Sequence, residues 1–312
     1  MTLVWLPADA RRDALGRLPD GVRLGTLPAG DADPGPEVGE VDVLVLSPGA
    51  RGQLVALADR LTSLRLVQTL NAGVDWVPPL GEQVRLCSAS GVHDGPVAEW
   101  VVAVVLATFK RLPHLLEQQR QGTWDREANL AFGSGPPAED LATASVLVVG
   151  MGSIGRAVQA RLEPFGCRVV GVASRARDDL HGPEDLPSLL ADADVVVLLA
   201  PGSPDNAGMV DAAFLDAMRP GALLVNGARG SLVDHDALLE RLHDGRVRAV
   251  LDSTTPEPLP DGHPLFSAPG CLVTPHVAGS SAHWEDRAYA LVGDQLRRLA
   301  AGEPLLNDRT PA

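Results

Sequence analysis

The run Val146-Leu-Val-Val-Gly-Met-Gly-Ser-Ile-Gly155 limits what this chain can fold into more than any other stretch. Val146 to Val149 are all apolar and mostly β-branched, the composition of a strand buried on both faces. Gly150, Gly152 and Gly155 follow at G-x-G-x-x-G spacing, and Arg156-Ala-Val-Gln-Ala-Arg-Leu162 continues with helical character. The spacing has a mechanism. The first glycine makes a tight turn, the second admits a pyrophosphate to the backbone, and the third lets helix pack on strand. The helix start adds unpaired N–H groups and the positive end of its dipole. Glycine-rich corners also occur in methyltransferases, but here the strand before and the helix after supply the dinucleotide-binding context. Gly150, Gly152, Ser153, Ile154 and Gly155 are therefore the expected pyrophosphate loop.

At 312 residues the chain can form two domains, and 45% hydrophobic residues argue for a folded one. The longest apolar run, Val101 to Phe109, is too short for a membrane span of about 20 residues. The N-terminus lacks a basic segment and a cleavage site, so a cytoplasmic protein is expected. Cys87, Cys167 and Cys271 are scattered, which argues against both a disulfide framework and a metal cluster. A net charge of -14 argues against a nucleic-acid partner. It also means that an anionic substrate must be held by a local cation.

The first hundred residues alternate strand candidates (Leu3–Leu6, Val41–Leu46, Arg65–Thr69, Val84–Cys87) with a helix candidate at Gln53–Leu61, the rhythm of a parallel sheet. Pro96 to Gln121 carries a long helical pattern that Pro113 kinks or splits. A Gly/Pro-rich loop, Gly133 to Pro137, precedes the glycine fingerprint, and Trp124 reads as an interdomain or interface aromatic. After Val146 the alternation restarts. Strands are expected near Arg168–Ala173, Val195–Ala200, Ala222–Asn226, Arg248–Leu251 and Cys271–Thr274, with helices near Asp211–Met218 and Asp234–His243. The expected fold class is α/β, with two Rossmann-like or flavodoxin-like domains of parallel strands. The nucleotide domain, 97–283, is inserted in a split substrate domain, 1–96 plus 284–312. The helix expected over Ala282–Ala300 packs back on the first domain.

The second strand of the nucleotide domain runs into Ala173-Ser-Arg-Ala-Arg177, where an acid would usually hold the 2′-hydroxyl of NAD. Ser174 can donate a hydrogen bond and Arg175 can fork a 2′-phosphate. NADP(H) is thus the expected cofactor, with NAD(H) as the alternative; a solvated loop is the competing reading of these residues.

Three further segments place polar residues where apolar strands end: Asn226-Gly-Ala-Arg-Gly-Ser231, Leu251-Asp-Ser-Thr-Thr-Pro-Glu-Pro258 and Thr274-Pro-His-Val-Ala-Gly279. Singly, His276 could be a loop residue, Glu257 a solvated turn residue, and Arg229 a phosphate or interdomain contact. Beside a nicotinamide, an arginine, a glutamate and a histidine are equipment for reducing a 2-keto acid. At these residues the chain resembles the D-2-hydroxyacid dehydrogenase family, over nearly its whole length and most strongly from 146 to 279. The family's N-x-A-R-G segment matches Asn226–Gly230, its L-D-V-F-x-x-E-P segment matches Leu251–Pro258, and its T-P-H-x-x-G segment matches Thr274–Gly279.

The resemblance implies Arg229 as the substrate-binding arginine, His276 as the acid/base, Glu257 as its partner, and Asp252 as a cofactor-side acid. It implies Ala200, Pro201, Asn206, Gly227, Ala228, His276 and Gly279 as further cofactor contacts. In Leu70-Asn-Ala-Gly-Val-Asp75 it implies that Asn71, Ala72 and Gly73 hold the substrate carboxylate through backbone N–H groups. It also implies a homodimer, small substrates such as glyoxylate or hydroxypyruvate, and a cleft that closes over cofactor and 2-keto acid. The chain departs from the pattern at Ser253 and Thr254, which replace an apolar pair, and at Asn206, where threonine is usual. His93, His114, His181, His235, His243 and His263 read as surface or turn residues, and packing is the expected role of His283-Trp284. Two rival classes follow: a dinucleotide-sensing scaffold like the family's corepressors, and a methyltransferase using the glycine loop.

Overall fold

The structure is a computed structural model that describes residues 1–30, 32–124, 126, 138–177 and 179–310. The Gly133–Pro137 loop lies outside the described residues. The chain forms two compact units, Met1–Asp94 with Ser280–Ala312, and Gly95–Gly279. The sequence boundaries at 96/97 and 283/284 fall slightly downstream of these.

In the first unit, β1 (Thr2–Leu6), β2 (Val22–Thr26), β3 (Val41–Leu46), β4 (Leu66–Thr69) and β5 (Arg85–Cys87) pair in parallel, in the order β2-β1-β3-β4-β5. This is a flavodoxin-like strand order. Because side chains alternate across a strand, each face of the sheet needs its own cover. Leu3, Trp5, Leu44 and Leu46 pack with Leu54 and Leu57 of α1 (Arg51–Leu57). Val4, Leu6, Val43 and Val45 pack with Ala288, Tyr289, Val292 and Leu296 of α8 (Trp284–Ala301).

The segment after α8 returns to the free edge of β5. Ser88 N–H donates to the Asn307 carbonyl at 3.1 Å, Arg309 N–H donates to the Leu86 carbonyl at 2.7 Å, and Cys87 and Asp308 form an antiparallel bridge. Buried Gln295 fixes this return: its Nε2 donates to Leu306 O and Gln68 Oε1, and its Oε1 accepts from Leu306 N–H at 2.8 Å.

In the second unit, β6 (Ser145–Val149), β7 (Arg168–Val172), β8 (Val195–Leu198), β9 (Leu223–Asn226), β10 (Arg248–Leu251) and β11 (Cys271–Val273) form a parallel sheet in the order β11-β10-β9-β8-β6-β7. The chain runs outward from β6 to β7 and then crosses back to β8, so the topological switch point lies between β6 and β8. Ligands of such sheets bind outside the carboxyl ends of the strands at that point. Val146, Val148, Val195 and Val197 face one core with α2 (Asp94–Phe109) and α4 (Ser153–Leu162). Leu147, Val149, Val196 and Leu198 face another, with α5 (Leu186–Asp192), α6 (Ala212–Ala217) and α7 (His235–His243).

The pattern over Pro96–Gln121 is split beside Pro113, as expected, into α2 and α3 (Leu112–Arg120); the break falls at Arg111, whose φ is 55°, and Pro113 lies in the first turn of the second helix. The structure differs from the sequence expectation in two elements. β2 was not expected because Val-Arg-Leu-Gly-Thr is an edge strand with few apolar residues. α5 is only seven residues long and has Pro187 in its first turn, too short for a helical period to register. No described helix is long and apolar enough to cross a membrane.

Candidate active site

The glycine loop fits a pyrophosphate. Gly150, at φ 108°, adopts a left-handed backbone that glycine favours, and a Cβ there would run into the backbone of Leu199 and Ala200. A Cβ on Gly155 would lie 2.7 Å from the Gly150 carbonyl, so the third glycine is fixed by helix–strand packing. Gly152 faces open space, with no heavy atom within 4 Å of a Cβ built on it. It is also the N-cap of α4 and offers no side-chain cap. The first turn of α4, with Ser153 and Ile154, thus presents N–H groups to that space.

Ser174 and Arg175 follow β7 and are exposed, and Arg175 has no carboxylate within ion-pair distance among the described residues. Ala200 and Pro201 follow β8 on the same edge. Asn206 spends its amide on its own turn: Oδ1 accepts from Ser203 N–H at 2.8 Å, and Nδ2 donates to Pro201 O at 2.7 Å. It therefore shapes the Pro201 loop from within.

The ends of β9, β10 and β11 carry the polar residues expected from sequence, and buried side chains hold them. Asn226 is fully buried; its Nδ2 donates to Arg229 O at 2.9 Å and to Ser253 O at 3.4 Å, while its Oδ1 accepts from Ala228 N–H at 3.1 Å. The turn Gly227-Ala228-Arg229 is thereby closed from inside. Gly230 completes it, because a Cβ there would run into the Thr254 backbone. Arg229 extends from this turn, with Nη1 donating to Ala228 O at 3.0 Å.

Asp252 is 3% exposed, and three donors take up its carboxylate. Oδ1 accepts from Thr274 Oγ at 2.5 Å and Val277 N–H at 2.9 Å, and Oδ2 accepts from Ala278 N–H at 2.8 Å. Its backbone carbonyl accepts from His276 N–H at 2.8 Å. The acid expected on the cofactor side thus grips the loop on both sides of His276. Such a grip is needed because His276 has φ 52°, a left-handed conformation that costs a non-glycine residue about 1–2 kcal/mol.

His276 Nδ1 lies 2.5 Å from Glu257 Oε1. The two side chains are 49% and 42% exposed, so the pair is open to a reactant. With Nδ1 bonded to the carboxylate, the imidazole is oriented and its Nε2 is left as the exchanging nitrogen. Gly279 ends this loop and the unit.

In the first unit, Asn71, Ala72 and Gly73 follow β4. Thr69 Oγ and Ala89 N–H both donate to Asn71 O at 2.9 Å, and Asn71 Nδ2 donates to Gly73 O at 2.7 Å. Among the described residues, neither Ala72 N–H nor Gly73 N–H makes a hydrogen bond, and Asn71 Oδ1 is buried without a partner. Four of the six histidines read as surface or turn residues, His93, His181, His235 and His263, are partly buried. His93 Nε2 lies 3.3 Å from Leu70 O with its ring against Trp284, and His235 meets the ring of His263.

Comparison with known proteins decides the family. The model for the NAD-binding domain of D-isomer specific 2-hydroxyacid dehydrogenases matches residues 102–278. The chain belongs to this family. A glyoxylate reductase/hydroxypyruvate reductase of Mus musculus is 31% identical over 278 residues, covering 82% of the chain and 83% of the relative. A D-3-phosphoglycerate dehydrogenase of Mycobacterium tuberculosis is 34% identical over 286 residues, which are 90% of this chain but 51% of that protein. A D-isomer specific 2-hydroxyacid dehydrogenase of Xanthobacter autotrophicus, solved with NADPH and MES, superposes with a TM-score of 0.84 at 30% identity, covering 99% of this chain and 98% of that one. This dehydrogenase therefore acts on the CH–OH group of 2-hydroxy acids with a nicotinamide dinucleotide.

Proposed function

We propose that the dehydrogenase works with NADP(H) on a small 2-keto acid of the glyoxylate or hydroxypyruvate class. The observation that carries the reading is the open Glu257–His276 pair at the carboxyl edge of the sheet, held by buried Asp252. Gly150, Gly152, Ser153, Ile154 and Gly155 would hold the dinucleotide, which would supply a hydride. His276 gives the Nε2 proton to the carbonyl oxygen, so one hydride and one proton convert C=O to CH–OH. Glu257 accepts the Nδ1–H bond and stabilises the imidazolium until the proton leaves. Arg229 pairs with the substrate carboxylate.

Reduction consumes the imidazolium proton and slows toward alkaline pH, whereas oxidation needs neutral imidazole and slows toward acid. Ser174 and Arg175 support the choice of NADP(H): both are exposed after β7, and a guanidinium matches a 2′-phosphate as a fork. Homodimer formation is proposed as well, supported by exposed Leu112 and Leu116 on α3 and Trp124 beyond it; sedimentation velocity reads it directly.

The test follows absorbance at 340 nm with glyoxylate and hydroxypyruvate, each with NADPH and with NADH. Faster oxidation of NADPH, and an Arg175→Ala variant that loses this advantage, support the full reading. A preference for NADH discards the Ser174/Arg175 assignment, and binding without turnover discards the substrate class.

A further inference from the structure

Ser253 and Thr254 stand where the resemblance leads one to expect an apolar pair, yet they are 1% and 7% exposed. Two hydroxyls placed so deep at a strand end cost free energy unless each is hydrogen-bonded. Each is bonded, and the two bonds point to different loops. Ser253 Oγ donates to the Ala228 carbonyl at 3.2 Å, the same oxygen that accepts Nη1 of Arg229 at 3.0 Å. Thr254 Oγ donates to the Pro256 carbonyl at 2.9 Å, immediately before Glu257.

We propose that Ser253 and Thr254 are positioning residues for the reaction, Ser253 acting through Arg229 and Thr254 acting through Glu257. The inference rests on the roles given above to those two residues.

The Ala228 carbonyl has two lone pairs, and in this arrangement Ser253 and Arg229 take one each. As long as Ser253 holds its share, Nη1 can turn toward a substrate carboxylate without leaving a bare buried acceptor. Without that hydroxyl, Arg229 is the carbonyl's remaining partner, and turning away costs the desolvation of an unpaired oxygen. The effect falls on carboxylate binding. Thr254 acts on a different step. Its bond closes the turn Thr254-Thr255-Pro256, which delivers Glu257 to His276 Nδ1. A looser turn weakens the Glu257–His276 bond and with it the support for imidazolium. The effect falls on the pH dependence of reduction.

The experiment uses the full chain with its preferred cofactor and compares Ser253→Ala with Thr254→Val, which keeps side-chain size. For Ser253→Ala, the KM for glyoxylate and the inhibition constant of oxamate are expected to rise together by about fivefold, the equivalent of one hydrogen bond, with kcat and cofactor Kd nearly unchanged. Ser253→Cys, a weak donor of similar size, falls between the two. For Thr254→Val, the alkaline limb of reduction moves to lower pH by at least about 0.5 unit, with KM nearly unchanged, and Thr254→Ser restores it.

A structural role alone would lower thermal stability and kcat in both variants with neither split, and that result overturns the proposal. Wild-type kinetics in both variants overturn it equally. Arg229→Gln separates this inference from the reading beneath it. If that variant weakens glyoxylate binding while Ser253→Ala does not, only the Ser253 assignment fails. If Arg229→Gln binds glyoxylate normally, the substrate-binding reading fails and takes the Ser253 assignment with it.

Discussion

The two units both bury polar side chains in and against their parallel sheets, and for the most part they put them to different uses. In the six-stranded sheet, Asn226, Asp252, Ser253 and Thr254 each bond a loop that follows a strand, and those loops carry Arg229, Glu257 and His276. In the five-stranded sheet, buried Gln68 and Gln295 bond each other and the segment at Leu306, so their bonds fasten the chain itself, while buried Thr69 at the end of β4 holds the uncharged Asn71–Gly73 turn through Asn71 O. A buried amide or carboxylate is therefore not a mark of chemistry by its presence. What distinguishes the second sheet is that each buried group ends on a backbone atom next to an accessible charged side chain.

The strongest way to break this comparison is to remove the accessible side chain. His276→Ala is expected to lower kcat by about 10²- to 10⁴-fold while cofactor titration stays near wild type. A variant that keeps wild-type turnover would show that the held loops serve something other than proton transfer.

Next in size is Asp252→Ala, which strands two backbone N–H groups and one hydroxyl. Each buried orphan costs about 1–3 kcal/mol, so denaturant unfolding should shift clearly and kcat should fall with it. The matching change in the other sheet, Gln295→Leu, should cost stability of the same order and leave kcat unchanged. If both variants lose activity equally, the distinction between loop-holding and chain-holding groups is not real.

The smallest effect concerns His235, whose pKa burial pushes down. The neighbouring His263 adds to that shift, while the Thr255 backbone, Asp234 and Asp236 oppose it. The folded state then binds this proton less tightly than the unfolded chain does. Stability is fully present above the ordinary histidine value of about 6.5 and is lost as pH falls below it. Between pH 8 and pH 5.5, His235→Phe should lessen the fall in Tm by about 1–2 °C. An identical fall in both proteins would remove His235 from the account.

Much of this was legible in the sequence, for reasons that differ by residue. The glycine loop could be read because Gly150 needs a left-handed backbone and Gly155 needs space, demands that leave a fixed spacing. The placement of Arg229, Glu257 and His276 beyond the ends of β9, β10 and β11 could be read because charged residues interrupt apolar runs there. The support beneath them could not. Asp252 meets Thr274 and Ala278 more than twenty residues away, and Ser253 meets Ala228 across 25 positions, separations that carry no local pattern. Asn206 illustrates the reverse. Its type was compatible with a cofactor contact, but the partners that occupy it, Ser203 and Pro201, are its own near neighbours in the turn.

The return of the chain along β5 has a consequence for how copies of this protein treat one another. A bare edge of a parallel sheet is a row of unmatched donors and acceptors, a template on which a foreign strand can align. Here Asn307 to Arg309 occupy that row from within the same molecule, tied down by Gln295. A change that unseats this segment would first be visible as self-association of otherwise folded molecules, with the glycine loop and the Glu257–His276 pair still in place.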